Sequence, residues 1–275
     1  MLGTYVLLEA SLRTLGEHRA ALASALAADA AARPATLALN WGGAADSQTT
    51  LDFLGVAYEE YLSPISGIKE VRWLGTPRTF PNLPVHTTTK PGLEVPRPRA
   101  YYVPVTAHDA IATLSDHGVA MTALAEPTTL TLEQYRLVKP KVAAMPFESR
   151  HTVTTKVTAE SVTITLPAGT VRVSTDQPLG NLVIALLEPE CSDSLLAWGY
   201  FPEILQRTEY IEGYAIAPLA EQMLAANAEL RYAFALKLAA EPEFAADPAA
   251  RLRWFYERSP YYDAAYLRYP VLRER

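Results

Sequence analysis

The side chains able to do chemistry are few and scattered in this chain. There are five histidines (His18, His86, His108, His117 and His151) and one cysteine, Cys191. None of the histidines opens an H-x-x-E or H-E-x-x-H pattern, the spacing that sets two ligands on one helix face. His108 and His117 stand nine residues apart in one predicted helix, two and a half turns, so they face opposite ways. A zinc site needs three or four convergent ligands, and no local pair supplies a start, so the expectation is no metal site within the chain. Cys191 sits in Glu188-Pro189-Glu190-Cys191-Ser192-Asp193. The neighbouring carboxylates would raise a thiol pKa, which is the wrong direction for a nucleophile. There is no G-x-S-x-G elbow and no glycine-rich phosphate loop.

Three candidates are left. Glu9 closes the apolar run Thr4–Glu9, which reads as a buried strand, and ligands of open α/β sheets bind beyond the carboxyl ends of strands. A carboxylate there suits a general base, its pKa raised by burial; the alternative is a strand-end Glu beside solvent. Glu148, Arg150 and His151 form the one compact polar cluster with an acid/base candidate. Tyr261, Tyr262 and Tyr266 lie in an aromatic tail that could line a ligand groove or pack as a cap.

These residues need elements to position them. After the strand at 4–9, Thr14-Leu15-Gly16-Glu17 fits a capping box. It predicts a helix to about Ala32, with Leu15, Leu22 and Leu26 on one face, ended by Arg33-Pro34. Residues 34–96 are broken by Pro64, Pro77, Pro81, Pro84, Pro91 and Pro96 and read as an extended, linker-like segment with short strands at 51–57 and 69–74. Tyr101–Val105 reads as a strand, 107–117 as a helix capped by Thr106 with Gly118 at its end, and 119–124 and 130–137 as strands. That order suggests a small β-α-β unit. Residues 151–176 alternate with period two and read as an antiparallel meander, with turns at 159–161 and Pro167-Ala168-Gly169. From 180 on the pattern is helical, with a stripe at Leu219, Met223, Leu230, Phe234 and Leu238. Asp247-Pro248 opens a last helix to about Arg258, and the aromatic tail packs over the surface. The expected class is α+β: a strand-helix at 1–33, the extended segment at 34–96, and an α+β domain at 97–275 with a helical, aromatic-rich end.

Composition bounds the partners. The formal net charge is −6, from 24 Lys+Arg and 30 Asp+Glu. An acidic balance without a basic stripe argues against nucleic acid. No apolar run approaches the length of a membrane span, and the first residues lack the basic region of a secretory signal, so the expected compartment is the cytoplasm.

Longer motifs add a resemblance. Leu186-Leu187-Glu188-Pro189-Glu190, Asp193-Ser194-Leu195, Ala197-Trp198-Gly199-Tyr200-Phe201 and Arg258-Ser259-Pro260-Tyr261-Tyr262-Asp263 resemble the C-terminal region of bacterial carboxypeptidase A-like zinc metallopeptidases. So do Arg97-Pro98-Arg99-Ala100-Tyr101 and Asp176-Gln177-Pro178. The resemblance implies peptide C-terminal hydrolysis by an intact protein that holds one zinc ion. It further implies that residues 1–33 are a remnant of its α/β catalytic domain, with Glu9 at the place of the catalytic general base, although Ala10-Ser11 follow where such relatives often carry Thr-His. The zinc ligands of that family, an H-x-x-E pair and a later His, have no counterpart here. On this reading the chain alone holds no cofactor and is inactive. It is an accessory region partnered by a missing or separate catalytic domain and in reach of peptide substrate, and the intact parent would be periplasmic or secreted. The alternatives are a stand-alone module that binds peptide or cell-wall material and an enzyme built on His151.

Overall fold

A computed structural model describes residues 2–43, 49–86, 89–207 and 211–275. The chain is α+β, with antiparallel sheets. It divides into two compact units, Pro34–Arg97 and the remainder.

The first helices are α1 (Leu2–Glu17) and α2 (Arg19–Ala31). The strand expected at 4–9 is therefore helix, and the helix expected to begin at Thr14 begins near Leu2. The run alone does not decide. Thr4, Tyr5 and Val6 favour strand, and Leu7, Leu8 and Glu9 favour helix. Tyr5, Leu8, Leu12 and Leu15, however, repeat at three and four residues, which places them on one helix face. His18 joins the two helices, and the i to i−4 bonds His18 N to Thr14 O and Leu22 N to His18 O run through the junction at 3.0 Å each.

Unit Pro34–Arg97 is built of paired strands. β1 (Thr36–Leu39) pairs later with β6 (Leu93–Pro96), and β2 (Gly42–Gly43) with β5 (Thr89–Lys90). Between them β3 (Thr49–Leu62) and β4 (Lys69–Val85) make a long two-stranded hairpin. The short strands expected at 51–57 and 69–74 thus run further. Pro77, Pro81 and Pro84 lie inside β4, where the breakers pointed to loop. A two-stranded ribbon consists only of edges, and proline is tolerated on an edge because its missing N–H faces outward. Gly55 lies under the Phe53 and Phe80 rings, where a Cβ would come within 2.9 Å of Phe80.

The other unit continues with β7 (Ala100–Val103), α3 (His108–Asp116), β8 (Thr122–Ala123), β9 (Thr128–Val142), β10 (Val153–Leu166) and β11 (Val171–Ser174). Helices α4 (Gly180–Leu187), α5 (Gly213–Ala226), α6 (Ala228–Ala240), α7 (Pro242–Ala246) and α8 (Pro248–Tyr256) follow, then β12 (Arg268–Glu274). Six strands form one sheet in the order β10-β9-β12-β7-β11-β8, each antiparallel to its neighbours. β7 and β8 both run against β11, so they are parallel to each other. The expected β-α-β unit is present in a split form, with β11 inserted between its strands.

Two expectations change here. Residues 151–176 are not a meander: β10 is one continuous strand paired along β9, with no turn at 159–161, and β11 lies across the sheet. Alternation alone could not show that the pairing passes through 159–161. Only the last part of the aromatic tail leaves the surface: Tyr261 stays exposed, while from Arg268 the tail becomes β12, an interior strand between β9 and β7. Its apolar residues Tyr269, Val271 and Leu272 are buried.

The core follows from these placements. All four residues of β7 are buried, as befits a central strand covered on both faces. A second cluster joins Ile216 and Ala220 of α5 to Trp254, Phe255 and Tyr256 of α8. Leu219, Met223, Leu230 and Phe234, four of the five stripe residues, pack against it. Asp247 caps α8, its carboxylate accepting from the N–H groups of Ala249 and Ala250 at 2.9 and 3.0 Å.

Candidate functional site

Two polar assemblies stand out in the larger unit, one closed and one open. The closed one is centred on Glu188, just after α4. Tyr101 of β7 donates to one carboxylate oxygen at 2.5 Å and Tyr135 of β9 to the other at 3.0 Å. The Arg273 guanidinium of β12 lies 3.5 Å from Glu188 and 3.4 Å from Glu133, and also donates to the Tyr135 hydroxyl. Arg275 donates to Glu133 as well. Burial pushes the Glu188 carboxyl above its ordinary range, against the opposing pull of Arg273 and the two phenols. Burial, with the Glu188 charge second, drives Tyr101 and Tyr269 well above the usual phenol value. The same causes raise Tyr135. This assembly ties two strands and the end of a helix to β12. Glu188, Tyr101, Tyr135 and Arg273 are all buried, so it is structural.

The open assembly is a cleft of about 500 Å³. Its polar walls are Thr106, His108 and Asp109 at the start of α3, Arg150, and Tyr200 with Glu203. Arg150 stands over the Tyr200 ring, its guanidinium carbon 4.4 Å from the ring centroid. The Tyr200 hydroxyl is held in turn by a 2.8 Å hydrogen bond with Thr113 Oγ1 of α3. Among the described residues Arg150 meets no carboxylate, so the N–H edges of its fork remain for a ligand.

The backbone around this cleft is strained. Phe147 and Arg150 exchange both backbone hydrogen bonds, at 2.9 and 3.0 Å, across a tight turn. Its central residues, Glu148 and Ser149, have φ of 46° and 68°. Two successive positive φ values make a type I′ turn, which Asn and Gly usually fill. Gly199 has φ +77°, and a Cβ on it would stand 2.6 Å from the His151 carbonyl oxygen. Phe201 has φ 60° although it precedes Pro202, a position biased toward extended backbone. Its ring is anchored edge-on against Tyr269 at 5.4 Å. Four left-handed residues in the two segments that carry Arg150 and Tyr200 mark a place where packing overrides local preference, as at many functional sites.

The residues singled out in the sequence fall differently. Glu9 lies on the exposed helix α1, paired with Arg13 one turn on at 2.7 Å. It does not close a buried strand, and neither burial nor a cleft prepares it as a base. His151 Nδ1 donates to the Ala143 carbonyl at 2.8 Å. No described hydrogen bond joins it to Glu148, so that cluster is a turn and not an acid/base pair. Cys191 is buried, and burial raises its thiol pKa. Tyr262 packs on Tyr256 at 5.5 Å, Tyr266 faces Arg207, and Tyr261 is exposed. Of the residues singled out in the sequence, Arg150 and His108 line the cleft. Tyr200 and Glu203 are joined to them by the fold. Tyr200 was signalled by the chemically unusual run Ala197-Trp198-Gly199-Tyr200-Phe201, and Glu203 carried no local signal.

Among the described residues no three His, Cys, Asp or Glu side chains gather as a metal site. The zinc ion implied by the resemblance therefore finds no donor set in them. No helix among the described residues is long and apolar enough to cross a membrane. No family model, curated protein or solved structure matches this chain.

Proposed function

We propose that this chain is a non-catalytic binding module, the accessory C-terminal part of a zinc carboxypeptidase-like protein, and that its cleft holds the carboxylate end of a peptide. The observation that carries the reading is Arg150, standing over the Tyr200 ring with its N–H fork uncommitted beside an open cleft. A guanidinium held in one orientation offers two parallel hydrogen bonds to a carboxylate. The start of α3 adds partial positive charge on the same wall. Asp109 and Glu203 give that wall carboxylates as well, which suits a ligand with both an anionic end and N–H groups. The family resemblance supplies the peptide context, and on this reading any hydrolysis belongs to another chain or domain.

The test is calorimetric titration of the purified chain with short peptides, each with a free or an amidated C-terminus. Free peptides bind and amidated ones lose most of the affinity. Arg150→Ala weakens the free peptide by about tenfold to a hundredfold, the worth of charge-assisted hydrogen bonds. Equal binding of the two peptide forms overturns the cleft assignment. Release of the C-terminal amino acid by the purified chain with zinc added overturns the non-catalytic reading.

A further inference from the structure

Helices α1 and α2 contain no buried residue, yet they carry a continuous apolar stripe. Tyr5, Leu8, Leu12, Leu15, Leu22 and Leu26 recur at alternating steps of three and four, save one position. In a heptad frame they fill the a positions 5, 12 and 26 and the d positions 8, 15 and 22. Arg19 takes the remaining a position and Asp29 the last d. Each of the six apolar residues is between 41% and 70% exposed. A seam sustained over nearly four heptads is the pattern of a coiled coil. His18 has a non-helical φ of −101° and ψ of 16°, yet the i to i−4 bonds on either side of it continue the hydrogen-bonding pattern from α1 into α2.

We propose that this seam pairs with the same seam of a second copy of the chain, in an antiparallel two-stranded coiled coil. The two polar seam residues decide the occupant and its direction. In a parallel in-register pair, Arg19 would face Arg19 and Asp29 would face Asp29, like charges in the same layer. The antiparallel register in which facing residue numbers sum to 34 removes both conflicts. Leu8 then faces Leu26, Leu12 faces Leu22, Leu15 faces Arg19, and Tyr5 faces Asp29, where the phenol can donate to the carboxylate. The Leu8–Leu26 and Leu12–Leu22 layers are apolar, the Tyr5–Asp29 layer is complementary, the Leu15–Arg19 layer is mixed, and every a position meets a d position, as antiparallel packing requires. The stem of Arg19 covers Leu15 while its charged head reaches water. Ser11, Gly16, Ala23 and Ala25 flank the seam and let the backbones approach; a Cβ on Gly16 would meet nothing within 4 Å. Opposed helix dipoles add to the preference. The seam from 5 to 29 spans about 36 Å at 1.5 Å per residue.

The experiment uses the full chain. Sedimentation velocity over low to high micromolar concentrations shows a monomer–dimer equilibrium. Leu12→Glu, which spoils two symmetry-related layers, weakens it by on the order of a hundredfold or more. Because α1 contributes nothing to the core, that variant matches the wild-type circular dichroism and melting temperature when both are read at concentrations where the wild-type chain is monomeric. Orientation is read by oxidative cross-linking, with the wild-type chain and its buried Cys191 as control. A mixture of Leu8→Cys and Leu26→Cys chains cross-links, and neither variant cross-links with itself. A chain that stays monomeric overturns the proposal and leaves the seam to a different protein. So does a dimer indifferent to Leu12→Glu, whose contact lies elsewhere. Self-cross-linking of Leu8→Cys shows a parallel pair and overturns the antiparallel register.

Discussion

Gly199 governs where Arg150 stands. Its backbone is left-handed, and the His151 carbonyl occupies the space a side chain would need. Neither can shift cheaply, since the neighbour is backbone and belongs to the segment that delivers Arg150. Gly199→Ala is therefore expected to destabilise the fold by about 2 kcal/mol or more, the left-handed penalty plus the clash. It should also weaken peptide binding beyond that loss, because the turn must move. Chemical denaturation together with the peptide titration separates the two effects. Glu9 gives the opposite forecast. Its pair with Arg13 is exposed, and such helix pairs contribute about 0.3–0.5 kcal/mol. Glu9→Gln should leave the denaturation midpoint nearly unchanged and the peptide affinity unaltered. Loss of peptide binding in Glu9→Gln would show that Glu9 belongs to the site after all.

At the scale of elements, α8 owes its start to Asp247, which satisfies two backbone N–H groups before Pro248 opens the first turn. Asp247→Ala should cost about 1 kcal/mol, measured as a shift in the denaturant midpoint at constant slope. This helix was legible in the sequence because Asp-Pro is a local signal that the tertiary structure leaves alone. The stripe through α5 and α6 was legible for the same reason, since its period of 3.6 is written in adjacent turns. The run 4–9 misled because a short apolar stretch does not distinguish strand from helix, and only the longer repeat through Leu26 does so. The hairpin of β3 and β4 hid behind its prolines, which mark breaks in a sheet interior but not on an edge. Sheet order was beyond local reading altogether. Nothing near residue 270 announces that β12 will enter between β7 and β9, because strand neighbours are chosen by long-range packing. The cleft shares that limit. Arg150 and Tyr200 are 50 residues apart, and the turn that aims Arg150 uses Glu148 and Ser149, which carry no left-handed signature.

At the scale of the molecule, the Glu188 assembly makes the larger unit depend on pH at both ends of the range. Removing Arg273 would leave the buried Glu188 carboxylate with no cation and Glu133 with Arg275 alone, and Arg273→Ala should cost about 3–5 kcal/mol. The alkaline limb follows from the phenols. Tyr101, Tyr135 and Tyr269 all hold their protons more tightly in the fold than the ordinary tyrosine value of 10.0. Above that pH the unfolded chain has lost these protons while the native state retains them. The native state then binds more protons, so stability falls as pH rises. A late rise in tyrosinate absorbance should coincide with the loss of structure. The acid limb has the same sign and a different owner. Glu188 titrates above its ordinary 4.5 in the fold, so its proton is held by the native state after the unfolded chain has released it. Its contribution is fully present below the unfolded value and is lost as pH rises through the folded one. Denaturant midpoints across the weakly acidic range should carry this falling term. Glu188→Gln, which cannot titrate, should remove it while keeping acceptor oxygen for one phenol. A slope unchanged in Glu188→Gln would assign the proton to another group. A slope abolished would make the buried carboxyl the main acid-range titration coupling of the fold, with Tyr101, Tyr135 and Arg273 setting how far up the pH scale it reaches.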